Sequence, residues 1–193
     1  MNTKMNTKQT AGLLLFIGAS QFFISMLIAE ALYPNYNISK NMISDLGVGL
    51  TAPIFNSSIV LLGGLILVAS SMLHKCEKNI PLTALIFFTG VGAIGVGLFD
   101  ENTSPFHEIS AGMTFIFGGI AGIYSSRLIG APFSIIAVVM GCITLISLGF
   151  FASGFYLFLG PGGMERMIVY PVLLWALGLG GYLMAPEGIG DEK

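Results

Sequence analysis

Residues 81–99 read PLTALIFFTGVGAIGVGLF, a stretch without a single charged side chain. Inside it, Gly90-Val91-Gly92-Ala93-Ile94-Gly95 matches the G-x-G-x-x-G pattern of dinucleotide-binding folds. That pattern needs a strand before it, an amphipathic helix after it, and an acid about 20 residues on. Here the glycines sit within one unbroken apolar run, close to the ~20 residues that an α-helix needs to cross a bilayer. Hydrocarbon offers no partner to a bare backbone, so a run of this length is helical. The stretch therefore reads as a transmembrane helix, and neither nucleotide nor dinucleotide is expected as a ligand.

Five further apolar runs follow the same rule: about 11–33, 54–73, 109–126, 132–151 and 167–184. Only 9% of the 193 residues are charged, against about a quarter in a soluble domain. Too few charges remain to cover a water-facing surface. The expected fold is all-α, a polytopic bundle of six transmembrane helices. It comprises polar tails at 1–10 and 186–193 and one transmembrane domain at 11–185. Pro53, Pro81, Pro105, Pro132 and Pro161 fall near run boundaries, where proline starts or stops a helix, and Pro171 lies inside the sixth run.

Positive charge sets the expected orientation. With a cytoplasmic N-terminus, Lys4, Lys8, Lys75, Lys78, Arg127 and Lys193 lie inside, and only Lys40 and Arg166 lie outside. Both termini are therefore expected in the cytoplasm. The outer face then carries net −4 and the inner face +2. Lys4 and Lys8 ahead of Ala29-Glu30-Ala31 also fit a signal peptide, but the apolar stretch is longer than the ~7–15 residues usual there, and a retained helix is expected.

The connection at about 34–53 carries Ile38, Met42, Ile43 and Leu46 at the spacing of a short amphipathic helix. Glycines 90, 92, 95 and 97 in the third run, and 118, 119 and 122 in the fourth, fit close helix crossings in lipid. Gly63-Gly64, Gly178, Gly180 and Gly181 fit the same role. Such faces serve packing within one bundle and between subunits equally well. Cys76 and Cys142 lie at different depths and read as ordinary small residues.

The polar residues gather on the outer face. Ser44-Asp45 precedes the second helix. Asp100-Glu101 ends the third, His107-Glu108 opens the fourth, and Glu165-Arg166 opens the sixth, with Tyr170 one turn on. Ser104 is a plausible N-cap with Pro105 at N1, which would place His107 at N3. Glu30 lies near the end of the first run and either pairs or reaches for the interface. Asn56 caps the second helix or points inward. Arg166 is expected to pair with Asp100, Glu101 or Asp45. With His74 on the inner side, His107 is the one outer histidine, so a multi-histidine zinc site is excluded. Haem is not expected either. Any metal at a carboxylate–histidine site would be Mg²⁺, Mn²⁺ or Ca²⁺.

Ile43-Ser44-Asp45-Leu46-Gly47, followed by Gly97-Leu98-Phe99-Asp100 with His107 and Ala111, resembles the family called domain of unknown function 998. Its members are six-helix prokaryotic membrane proteins, and the resemblance covers roughly residues 11–185. The family often has a proline in the acidic turn, where this chain has Asp100-Glu101. More distantly, the Ile-Ser-Asp loop and the histidine of the fourth helix are similar to damage-regulated autophagy modulators and GPI-lipid-remodelling factors. That likeness implies a lipid-linked role at the outer leaflet.

Three functions compete. The first is binding of a membrane lipid at the outer face. Arg166, Tyr170 and Tyr33 would hold the head, with Ser44, Glu30, Asn56, Glu101 and Glu108 nearby. The second is an intramembrane enzyme acting on a lipid headgroup or ester, in which Asp45, Asp100 and His107 are the catalytic candidates. The third, proton-coupled transport through Glu30 and His107, lacks an inverted repeat. No nucleic-acid partner fits a chain with so little exposed cationic surface.

Overall fold

A computed structural model describes residues 5–186, and among these every long element is an α-helix. The helices are α1 (Thr7–Leu32), α2 (Ala52–Glu77), α3 (Ile80–Leu98), α4 (Phe106–Ser125), α5 (Phe133–Ala152) and α6 (Gly160–Met184). All six are long and apolar enough to cross a membrane. The parts of the expected polar tails at 1–4 and 187–193 lie outside the described residues.

Each helix packs against the next in sequence, and α6 returns to α1. α4 also meets α6 directly, which leaves α5 outside a ring of five. Ala137, Gly141, Thr144 and Ser147 are the buried positions of α5, all on one face. Ile135, Ile136, Val139 and Ile146 on its other sides are exposed, as a lipid-facing helix requires.

Glycine allows the ring to close tightly. A Cβ on Gly12 would stand 2.7 Å from the Gly180 carbonyl oxygen, and one on Gly180 would stand 2.7 Å from that of Gly12. Gly63 and Gly90 bring α2 and α3 together in the same way. Gly92 and Gly95 lie against Ser110 and Thr114 of α4, as the sequence led us to expect. Gly64 and Gly181 face open space instead.

Hydrogen bonds between helices add to the contacts that these glycines permit. Gln21 Nε2 donates to the Ser58 carbonyl at 2.9 Å, and Ser70 Oγ donates to that of Thr83 at 2.7 Å. Thr144 Oγ1 donates to the Ile168 carbonyl at 3.1 Å. Trp175 Nε1 donates to Ser125 Oγ at 3.0 Å, which joins α6 to α4.

The short helix expected between α1 and α2 is present as two 3-10 turns, Ser44–Gly47 and Gly49–Thr51. Side chains take the N–H groups that an α-helix would use. Asn37 Oδ1 accepts from Ser39 and Lys40, and Asp45 Oδ2 accepts from Met42 at 3.1 Å. Of the apolar positions, Ile43 and Leu46 are buried while Ile38 is exposed. The segment folds over the N-terminal end of α6. Ser39 Oγ donates to the Leu159 carbonyl at 2.7 Å, and Gly162 N donates to that of Ser39.

Candidate functional site

The ring encloses a narrow cavity of about 70 Å³. Its walls are apolar: Phe55 and Leu62 from α2, Ala93 from α3, Ala111 and Phe115 from α4, and Trp175 from α6 are typical. Its polar lining gathers at the Ser44 end, from Ser44, His107 and Glu165. Thr89 and Thr114 also face it, but their hydroxyls donate within their own helices.

Behind this mouth stand two more acids. The Asp45 carboxylate and the Ser44 hydroxyl lie beside the Glu101 carboxyl, with His107 close enough to act on its charge. Burial, followed by the facing Asp45 carboxylate, pushes Glu101 above the usual carboxylate range; Ser44 and His107 offset this in part. Glu101 Oε2 is buried with no donor in hydrogen-bonding geometry, and so is Asn56 Oδ1. Asn56 spends its amide N–H on the Gly47 carbonyl at 3.0 Å. Glu165 anchors the loop by accepting from the Ile43 backbone N–H.

His107 has a defined tautomer. Its Nδ1 lies 2.8 Å from the Phe99 carbonyl oxygen, which can only accept, so Nδ1 carries the hydrogen. In the neutral ring the lone pair then belongs to Nε2.

A second polar group holds the loop to α6. Arg166 Nη2 meets Glu30 Oε1 and the Tyr36 hydroxyl, each at 2.5 Å. Its Nη1 donates to the carbonyls of Ile38, Asn41 and Gly162 at 3.1, 3.2 and 2.8 Å. Arg166 is 5% exposed. Burial pushes the Tyr36 phenol well above its ordinary value, only partly opposed by Arg166.

The family model described as "Protein of unknown function (DUF998)" matches residues 16–182. The chain belongs to this family. No curated protein and no solved structure matches it. Within this DUF998 chain the matched span includes every residue of both polar groups.

Several sequence expectations need correcting. Arg166 pairs with Glu30 and Tyr36, not with Asp100, Glu101 or Asp45, because the 34–43 segment brings Tyr36 and the carbonyls of Ile38 and Asn41 to it. Glu30 is thereby a paired group, not an interfacial one. Glu165 and Arg166 lie in the second turn of α6, which begins at Gly160. Pro105, not Ser104, occupies the N-cap position of α4, so His107 falls at N2. Asp100 turns into its own loop, accepting from Asn102 N and the Thr103 hydroxyl at 3.1 and 3.0 Å. Among the described residues, no three His, Cys, Asp or Glu side chains are arranged to hold a metal ion.

The other candidates divide in two. Ser44, Asp45, Glu101 and His107 converge, with Asn56 bonded to the same loop. Glu108 is exposed, and its carboxylate is held by Ser104 and its own backbone. Tyr170 belongs with Arg166 and Glu30. Sequence reasoning missed Tyr36 and left Glu165 out of the site. Glu165 is an acid in a helix, and that alone was a signal.

Glu101 has a pH consequence. An acid whose folded pKa is raised stabilises the fold below its unfolded value, and that contribution is lost as pH rises through the folded one. The melting temperature of the purified protein should therefore fall as pH rises above 4.5, the ordinary value for Glu101. Glu101→Gln should flatten that slope. An equal slope in both proteins would mean that Glu101 does not hold its proton.

Proposed function

We propose that this protein binds a lipid or lipid-like amphiphile, with the apolar tail in the central cavity and the head at Ser44, Asp45, Glu101 and His107. The observation that carries this reading is the cavity itself. It is walled by apolar side chains from five helices and polar at one end, the form expected of a site for a molecule of that shape. Cytoplasmic termini, as the lysine and arginine distribution favours, place the polar end at the outer leaflet.

Ala111 lines the cavity without filling it, so Ala111→Trp tests the reading. The variant should fold and should copurify with about tenfold less bound amphiphile by native mass spectrometry, a loss equivalent to roughly 1.4 kcal/mol. An unchanged bound mass would sink the idea.

The fixed tautomer of His107 favours a second reading, hydrolysis of a lipid ester within the membrane. Nε2 would take a proton from a water attacking the ester carbonyl, as a general base does. In that case His107→Ala would lower turnover of an ester far more than it lowers binding of that ester. Loss of binding and turnover together would point to a structural role.

A further inference from the structure

The polar end of the cavity is rich in acceptors and poor in donors. Glu165 and Ser44 line it, and Asp45 and Glu101 stand directly behind. Glu101 Oε2 and Asn56 Oδ1 are buried with no donor, although buried oxygens elsewhere in the bundle find partners. Ser44 is itself 8% exposed, and Asp45, Glu101 and His107 are partly buried around it. A buried acceptor without a donor is costly, and a ligand that brings N–H groups relieves that cost.

The arginine on this side of the bundle is committed elsewhere. Arg166 is bound to Glu30, Tyr36 and three carbonyls. Among the described residues, neither lysine nor arginine lines this cavity. An anionic head such as a phosphate or carboxylate would meet carboxylates that only His107 and the Ser44 hydroxyl offset. A protonated amine offers donors and charge of the required sign.

We propose that the site selects amphiphiles with a cationic amine head, taking long-chain ammonium compounds in preference to anionic lipids. The proposal rests on the amphiphile-binding reading above and specifies the head that reading leaves open. The apolar walls set the tail, and the acids around Ser44 set the head.

The test titrates the purified full chain, in a non-ionic detergent, with three probes of equal chain length. These are a long-chain primary amine, the corresponding fatty acid and the corresponding alcohol, with bound mass read by native mass spectrometry. The amine should bind at least about tenfold tighter than the fatty acid, the ratio a single favourable charge contact provides. Asp45→Asn and Glu101→Gln, which keep shape and replace a carboxyl with an amide, should erase the preference for the amine over the fatty acid. The wild-type ranking of the probes does not depend on either variant folding. Equal binding of amine and fatty acid, or a preference that survives both substitutions, would overturn the amine proposal and leave amphiphile binding standing. Failure of all three probes to bind would overturn both.

Discussion

Arg166→Met is expected to destabilise the protein by roughly 3–5 kcal/mol, the cost of removing one partner from a buried ion pair. The side chain of Glu30 is 12% exposed, and its carboxylate would lose the guanidinium 2.5 Å away. The carbonyls of Ile38, Asn41 and Gly162 would lose their shared donor at the same time. Thermal unfolding in detergent measures the effect. Glu30→Gln added to Arg166→Met should recover part of the loss, because the stranded charge is gone, so the two substitutions should not add. Arg166→Lys should rescue poorly, since one ammonium cannot replace two separately directed guanidinium nitrogens. A loss below about 1 kcal/mol, the range of exposed pairs, would mean that water reaches the pair.

Gly162→Ala should be the most damaging of the small substitutions. A Cβ there would fall on the Asn41 carbonyl oxygen and stand 2.5 Å from that of Ile38. Both are backbone atoms, so no rotamer relieves the overlap. The 38–43 segment would have to lift away, taking the Ile43 N–H off Glu165 and the two loop carbonyls off Arg166. Overpacking costs about 1–3 kcal/mol, and occasionally more. Gly64→Ala is the matched control. Nothing lies within 4 Å of its added Cβ, and alanine is the better helix former by up to about 1 kcal/mol. Equal behaviour of the two variants in thermal unfolding would mean that the loop does not bear on α6 as described.

The helices were legible because lipid imposes a simple rule: a run of about 20 apolar residues has one conformation open to it. The glycines of α3 and α4 were legible for a related reason, since close crossing has few chemical solutions. The polar sites were legible by composition and not by pairing. Six acids share the Ser44 side of the bundle, and composition treats them alike. A single residue of register in the 99–106 turn sends Glu101 towards Asp45 and Asp100 into its own loop. Arg166 and Glu30 lie 136 positions apart, and only the closure of α6 on α1 brings them together. Gly160-Pro161-Gly162-Gly163 is too weakly apolar to extend the sixth run, so the true start of α6 was hidden. That shift carried Glu165 and Arg166 from a helix opening to the helix wall.

The position of α5 outside the ring bears on how the chain assembles. The wall between α4 and α1 is completed by α6, which is synthesised after the other five. The first five helices can insert in order, yet they form an open trough until α6 emerges. α5 must be parked in lipid beside α4 and leave a gap for a helix not yet made. Truncation before Gly160 should therefore yield an inserted but unclosed intermediate that exposes Glu30 without its counter-ion, a target for membrane quality control. The sixth helix is the keystone of the ring.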